Sequence, residues 1–96
     1  MKIIKKAQAG SFESSDILIL VEPVNEGEGR KIELDSAVQF QFGDKILELI
    51  IHSLDKHQIA DIHLVIKDKG AIEPVIRARI ETALLRGANQ QKGTMY

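Results

Sequence analysis

The sequence predicts an α+β domain of two layers: a mainly antiparallel sheet with two helices packed on one face, in the order βββαβα. Three observations carry this. Three short β-branched runs come first, separated by clusters of turn-forming residues. A long stretch with apolar residues at helical spacing follows, from Ser36 to about Lys56. A fourth strand-like run and a second helical pattern complete the order.

Lys2 to Gln8 reads as the first strand, with Ile3 and Ile4 as its apolar content. Gly10 loosens the backbone, and Ser11 to Ser15 form a polar turn. Asp16 to Glu22 holds five consecutive apolar residues, the mark of a strand buried on both faces. Pro23 ends it, because proline cannot donate to a central ladder. Asn25-Glu26-Gly27-Glu28-Gly29 is a second turn, its glycines suited to positive φ. Lys31 to Asp35 alternates charged and apolar residues, as a half-exposed strand does. Short turns between these three strands predict an antiparallel meander.

Ser36 with Gln39 fits a capping box at the start of the first helix. At about 100° per residue, Val38, Phe42, Ile46, Leu49 and Ile50 share one side, and Leu47, Ile51 and Leu54 widen that arc. So wide an arc requires cover from two directions. Gly43 within the helix marks close packing or a kink. Ala60 to Lys67 returns to strand character, and Asp68-Lys69-Gly70 is a turn. The second helix runs from about Ala71 to Arg86, with Pro74 tolerated in its first turn and Ile72, Val75, Ile76 and Ala83 as its core stripe. Residues 1–88 form one domain, and 89–96 read as a flexible polar tail.

Composition removes several functions. With 13 basic and 14 acidic residues the formal charge is −1, so no basic excess points to nucleic acid. There is no cysteine, which removes disulfides, thiolate metal sites and a thiol nucleophile of the chain's own. No apolar run approaches the ~20 residues that cross a bilayer, and the N-terminal apolar stretch is too short for a signal peptide. The expectation is a soluble cytoplasmic protein without membrane or nucleic-acid partners.

Few residues are placed for chemistry. His52, His57 and His63 have no metal-like spacing and read as surface histidines. Asp68 and Glu73 read as turn and cap residues. Arg79 falls inside the apolar arc of the second helix, with Arg86 seven residues on. There it snorkels, meets a phosphate-bearing ligand, or pairs with a carboxylate such as Asp16, Asp44 or Glu13. The turn Ser11-Phe12-Glu13-Ser14-Ser15-Asp16 concentrates hydroxyls. On composition it is a plain hairpin loop, and no base stands near enough in sequence to activate a serine.

The stretch Ala9-Gly10-Ser11-Phe12-Glu13-Ser14-Ser15-Asp16 resembles the modification-site motif of the acyl carrier (gamma) subunit of bacterial citrate lyase. Gln41-Phe42-Gly43-Asp44 is similar to a segment of that family's middle helix. Asp68-Lys69-Gly70-Ala71, with Arg77-Ala78-Arg79, Glu81, Leu84 and Arg86, resembles its C-terminal segment. The resemblance spans about residues 7–88, with the three motifs in order. Phe12 stands where that family has an aliphatic residue.

This resemblance implies a non-catalytic carrier. Ser14 would anchor a phosphoribosyl dephospho-coenzyme A group through a phosphodiester, and Ser15 follows where the family has another small residue. The group's thiol would bear acetyl and citryl thioesters. The implied partners are the citrate lyase alpha (acetyl transferase) and beta (citryl lyase) subunits and a prosthetic-group transferase. Glu13, Ser15, Asp16 and Arg79 become possible contacts for the group or for the transferase. Two other readings stay open: the acyl carrier subunit of malonate decarboxylase, and a small protein-binding domain with no attached group.

Overall fold

The structure, a computed structural model, describes residues 1–36 and 39–90, and for residues 39–42 the backbone alone. Its elements are β1 (Ala7–Gly10), β2 (Ile17–Glu22), β3 (Arg30–Ser36), α1 (Gln39–Lys56), β4 (Ile62–Asp68) and α2 (Glu73–Gly87). The order βββαβα and the α+β class are as the sequence predicts.

The sheet order is β1-β2-β4-β3, which corrects the expected meander. β1–β2 and β2–β4 are antiparallel, but β3 pairs with β4, and in parallel. The reason is the helix between them. Parallel neighbours need a long crossover, and α1 supplies it, whereas the Asn25–Glu28 turn only redirects the chain past β4. β3 is thereby an edge strand, and its exposed Lys31, Glu33 and Asp35 suit an edge that must not pair with another chain.

Register explains the core. One cross-sheet row is Ala9, Ile19, Ile66 and Leu34; the next is Ala7, Val21, Leu64 and Ile32. These side chains share the face that the helices cover. Ile46, Leu49, Ile50 and Leu54 of α1 and Ile76, Ile80, Ala83 and Leu84 of α2 complete the cluster. The expected α1 arc is narrower at its margin, where Ile51 is exposed. Val38 and the side chains of Gln39 and Phe42 lie outside the described residues, and with them the expected capping box.

Two more expectations change. The first strand does not begin at Lys2. Ile3 does enter the core, but the backbone N–H groups of Ile4 and Lys5 donate to the Gly87 carbonyl at the end of α2. In α2 the core stripe shifts: Ile80 and Leu84 are buried, while Ile72 is the N-cap residue and is 65% exposed. Pro74 sits in the first turn, as expected. Asn89 and Gln90 close the helix through N–H bonds to the Arg86 and Leu85 carbonyls, and residues 91–96 of the expected tail lie outside the described residues.

Candidate functional site

The β1–β2 hairpin is held by pairing from Ala7↔Val21 to Gly10↔Leu18, and the serine turn is its connection. Gly10 makes the exit possible. Its φ is +91°, and a Cβ there would stand 1.7 Å from the Ile17 carbonyl oxygen. Any other residue would collide with the opposite strand.

Within the turn, the Asp16 N–H donates to the Glu13 carbonyl at 3.1 Å, closing a four-residue reversal with Ser14 and Ser15 at its centre. Ser15 has φ 66° while Ser14 keeps the ordinary sign, the pattern of a type II turn. The turn is fastened to the β4–α2 loop from both sides: the Ser15 N–H donates to the Lys69 carbonyl, and the Lys69 N–H donates to the Asp16 carbonyl, each at 2.9 Å.

Asp16 is the hub. Its Oδ2 accepts from the Ser11 hydroxyl at 2.6 Å, and its Oδ1 accepts from the Ile17 N–H at 2.7 Å. Arg79 adds a bidentate grip, Nε to Oδ1 at 3.1 Å and Nη2 to Oδ2 at 3.0 Å. Of the three partners open to Arg79, the structure selects Asp16. The Ser11 hydroxyl, then Arg79 and the Ile17 amide, lower the Asp16 carboxyl to about 2, so it is ionised at neutral pH.

The three serines are therefore unequal. Ser11 is half-buried and committed to Asp16. Ser14 and Ser15 are exposed, and among the described residues neither hydroxyl has a hydrogen-bond partner. Glu13 is exposed at the same tip, and Phe12 is 62% exposed beside it.

Below the turn, Asp68 is buried, ending the row that holds Ile17 and Ser36. It accepts from the Ser36 hydroxyl at 2.8 Å and from the Ala71 N–H at 3.0 Å, so it organises the loop, as its place in the sequence suggests. Glu73 pairs with Arg77 one helical turn on, and Asp44 is exposed on α1. Arg86 lies apart, donating to the Gln8 carbonyl. His57 meets Glu81 and His63 meets Glu33; among the described residues no group of ligating side chains could hold a metal. Lys69 was missed from sequence. It is exposed next to the serine turn, and only the pairing of two distant loops reveals it.

Comparison with known proteins adds an independent finding. The family described as Malonate decarboxylase delta subunit (MdcD) matches residues 4–87. The citrate lyase acyl carrier protein of Vibrio cholerae serotype O1 is 45% identical over 91 residues, covering 95% of this chain and 92% of that protein. The citrate lyase acyl carrier protein of Edwardsiella ictaluri is 39% identical, covering 93% and 90%. A chain in the crystal structure of a Pseudomonas malonate decarboxylase hetero-tetramer in complex with malonate has the same fold, with TM-score 0.70, 23% identity, and coverage of 85% and 82%.

Proposed function

Since the chain belongs to the citrate lyase acyl carrier protein family, we propose that it is the acyl carrier subunit of citrate lyase, with a phosphoribosyl dephospho-coenzyme A group esterified to Ser14. It is a carrier subunit and not a catalytic one. The observation that carries the site is the Ser14 hydroxyl, exposed and unbonded at the centre of a turn that is pinned on both flanks. The group supplies what the chain lacks, a thiol on which acetyl and citryl units travel as thioesters.

The remaining residues fit such a group. Two carboxylates flank Ser14: Glu13 is open to solvent, which screens its charge, and Asp16 is the one set into the turn. Asp16 is already offset by Arg79, whose Nη1 makes no hydrogen bond among the described residues and stays available to a phosphate oxygen. Lys69 brings a second cation on the adjoining loop. Glu13 and Phe12, exposed at the tip, are features that a transferase would read. Ser15 sets the reversal that lifts Ser14 outward.

The partners in this reading are the alpha subunit, which exchanges acetyl for citryl, the beta subunit, which releases oxaloacetate, and the transferase that loads the carrier. Tethering raises the effective concentration at both partner sites to roughly millimolar. The reading places this work in the cytoplasm, where a chain without cysteine loses nothing to reducing conditions. No helix among the described residues is long and apolar enough to cross a membrane.

The second reading, a carrier for malonate decarboxylase, draws on the matched family's description and the shared fold. Relatives named for citrate lyase reach 45% identity, against 23% for the malonate decarboxylase chain. Reconstitution separates the two. The loaded chain should restore citrate cleavage to carrier-free alpha and beta subunits. Restoration of malonate decarboxylation alone, with the corresponding partner subunits, would transfer the assignment.

A further inference from the structure

We propose that the groove between α1 and the start of α2 is a docking site for the pantetheine end of the group tethered at Ser14, sheltering its thioester between visits to partner subunits. This rests on the carrier reading above. The groove encloses about 430 Å³, within the range of small-molecule sites. Ile46, Leu49, Ala71 and Ile76 make it chiefly apolar, with Lys45 and Glu73 at its margin.

Position argues for this occupant. The groove begins at Gly70, the residue after Lys69, and Lys69 is doubly bonded to the serine turn. A flexible group rooted at Ser14 therefore samples this groove at high effective concentration. The chemistry fits as well: pantetheine presents a gem-dimethyl segment and amides to an apolar trough, and the charges of Lys45 and Glu73 offset one another there.

An independent sign is Ile72. It occupies the N-cap of α2 without a side-chain cap bond; Pro74 has no N–H to cap, and the Val75 and Ile76 N–H groups donate to the Ile72 carbonyl. It lines the groove and is 65% exposed. An exposed apolar side chain thus lines the groove, where an apolar ligand would cover it.

The test compares the bare and transferase-loaded full-length chains by methyl and amide NMR. Docking is expected to shift Gly70, Ala71, Leu49 and Ile76 and to give cross-peaks from the pantetheine methyls to Ile46 and Leu49. Ile72→Ser, at an exposed site, should leave Tm near that of the parent while lowering the docked-to-free ratio about tenfold, the loss of an isoleucine contact that docking buries. Its loaded acetyl thioester should hydrolyse faster in the absence of partners. A loaded chain whose shifts stay within residues 11–16 would overturn the groove and leave the carrier assignment standing. A chain that gains no mass from the transferase would overturn both. Groove shifts that grow with concentration in the bare chain would mean a second copy occupies it instead.

Discussion

Arg79 grips Asp16 through both carboxylate oxygens, at 3.1 and 3.0 Å, from 63 positions further along the chain. This pair ties the serine turn to α2. A lysine cannot reproduce the two-pronged contact. Arg79→Lys should therefore speed amide exchange across Ser11–Asp16 and slow loading at Ser14. Arg77→Ala, which removes only an exposed pair with Glu73, should change neither.

The same carboxylate gives a pH signature. Asp16 lies at about 2 in the folded chain, below its ordinary 3.8. The unfolded state takes up the proton first as pH falls. The stability this group contributes is thus full above pH 3.8 and is lost as pH falls from there to about 2. Asp16→Asn should be less stable than the parent at neutral pH, and the difference should shrink across that window. Urea unfolding of both chains at stepped pH measures it. Glu33, Asp61 and Glu73 are also lowered, but they titrate alike in both chains and cancel.

Gly10 is the steric key to the turn. Gly10→Ala meets a left-handed φ and a backbone oxygen 1.7 Å from the new Cβ. The dihedral strain alone is worth about 1–3 kcal/mol, and the collision adds to it. Chemical denaturation should show a loss at or above the top of that range, with weakened protection in β1.

Asp68 is the only buried charged residue among those described, and it holds Ser36 and Ala71 together. Asp68→Ala removes both acceptor oxygens and should cost about 1–3 kcal/mol in urea unfolding. Asp68→Asn, which keeps one acceptor, should cost less. Loosening should spread to the serine turn, because Lys69 is its anchor.

Legibility followed the range of the interactions. Strand and helix identities were readable, because alternation in Lys31–Asp35 and helical spacing in Ile46–Leu54 are local consequences of burial. The pairing of β3 with β4 was misread because Asn25–Gly29 has hairpin chemistry. Yet a signal was present: a long helix between two strands is the connection that parallel neighbours need. The start of β1 failed because Ile3 is apolar for a different reason, packing by the end of α2. At the site, composition alone left the serine turn a plain hairpin loop and the motif resemblance singled it out, while Arg79 stood out by its place on an apolar face. The choice of Asp16 as its partner and the place of Lys69 beside the turn depend on contacts between distant segments, which no local pattern encodes.

The central claim is that Ser14 bears the group. The direct measurement is intact mass with fragment mapping of the full-length chain, produced alongside its transferase and partner subunits. The parent and Ser15→Gly, whose φ of 66° suits glycine, should both carry the added mass, mapped to Ser14. Ser14→Ala should fold and remain at its bare mass. A Ser14→Ala chain that still gains the group would contradict the account.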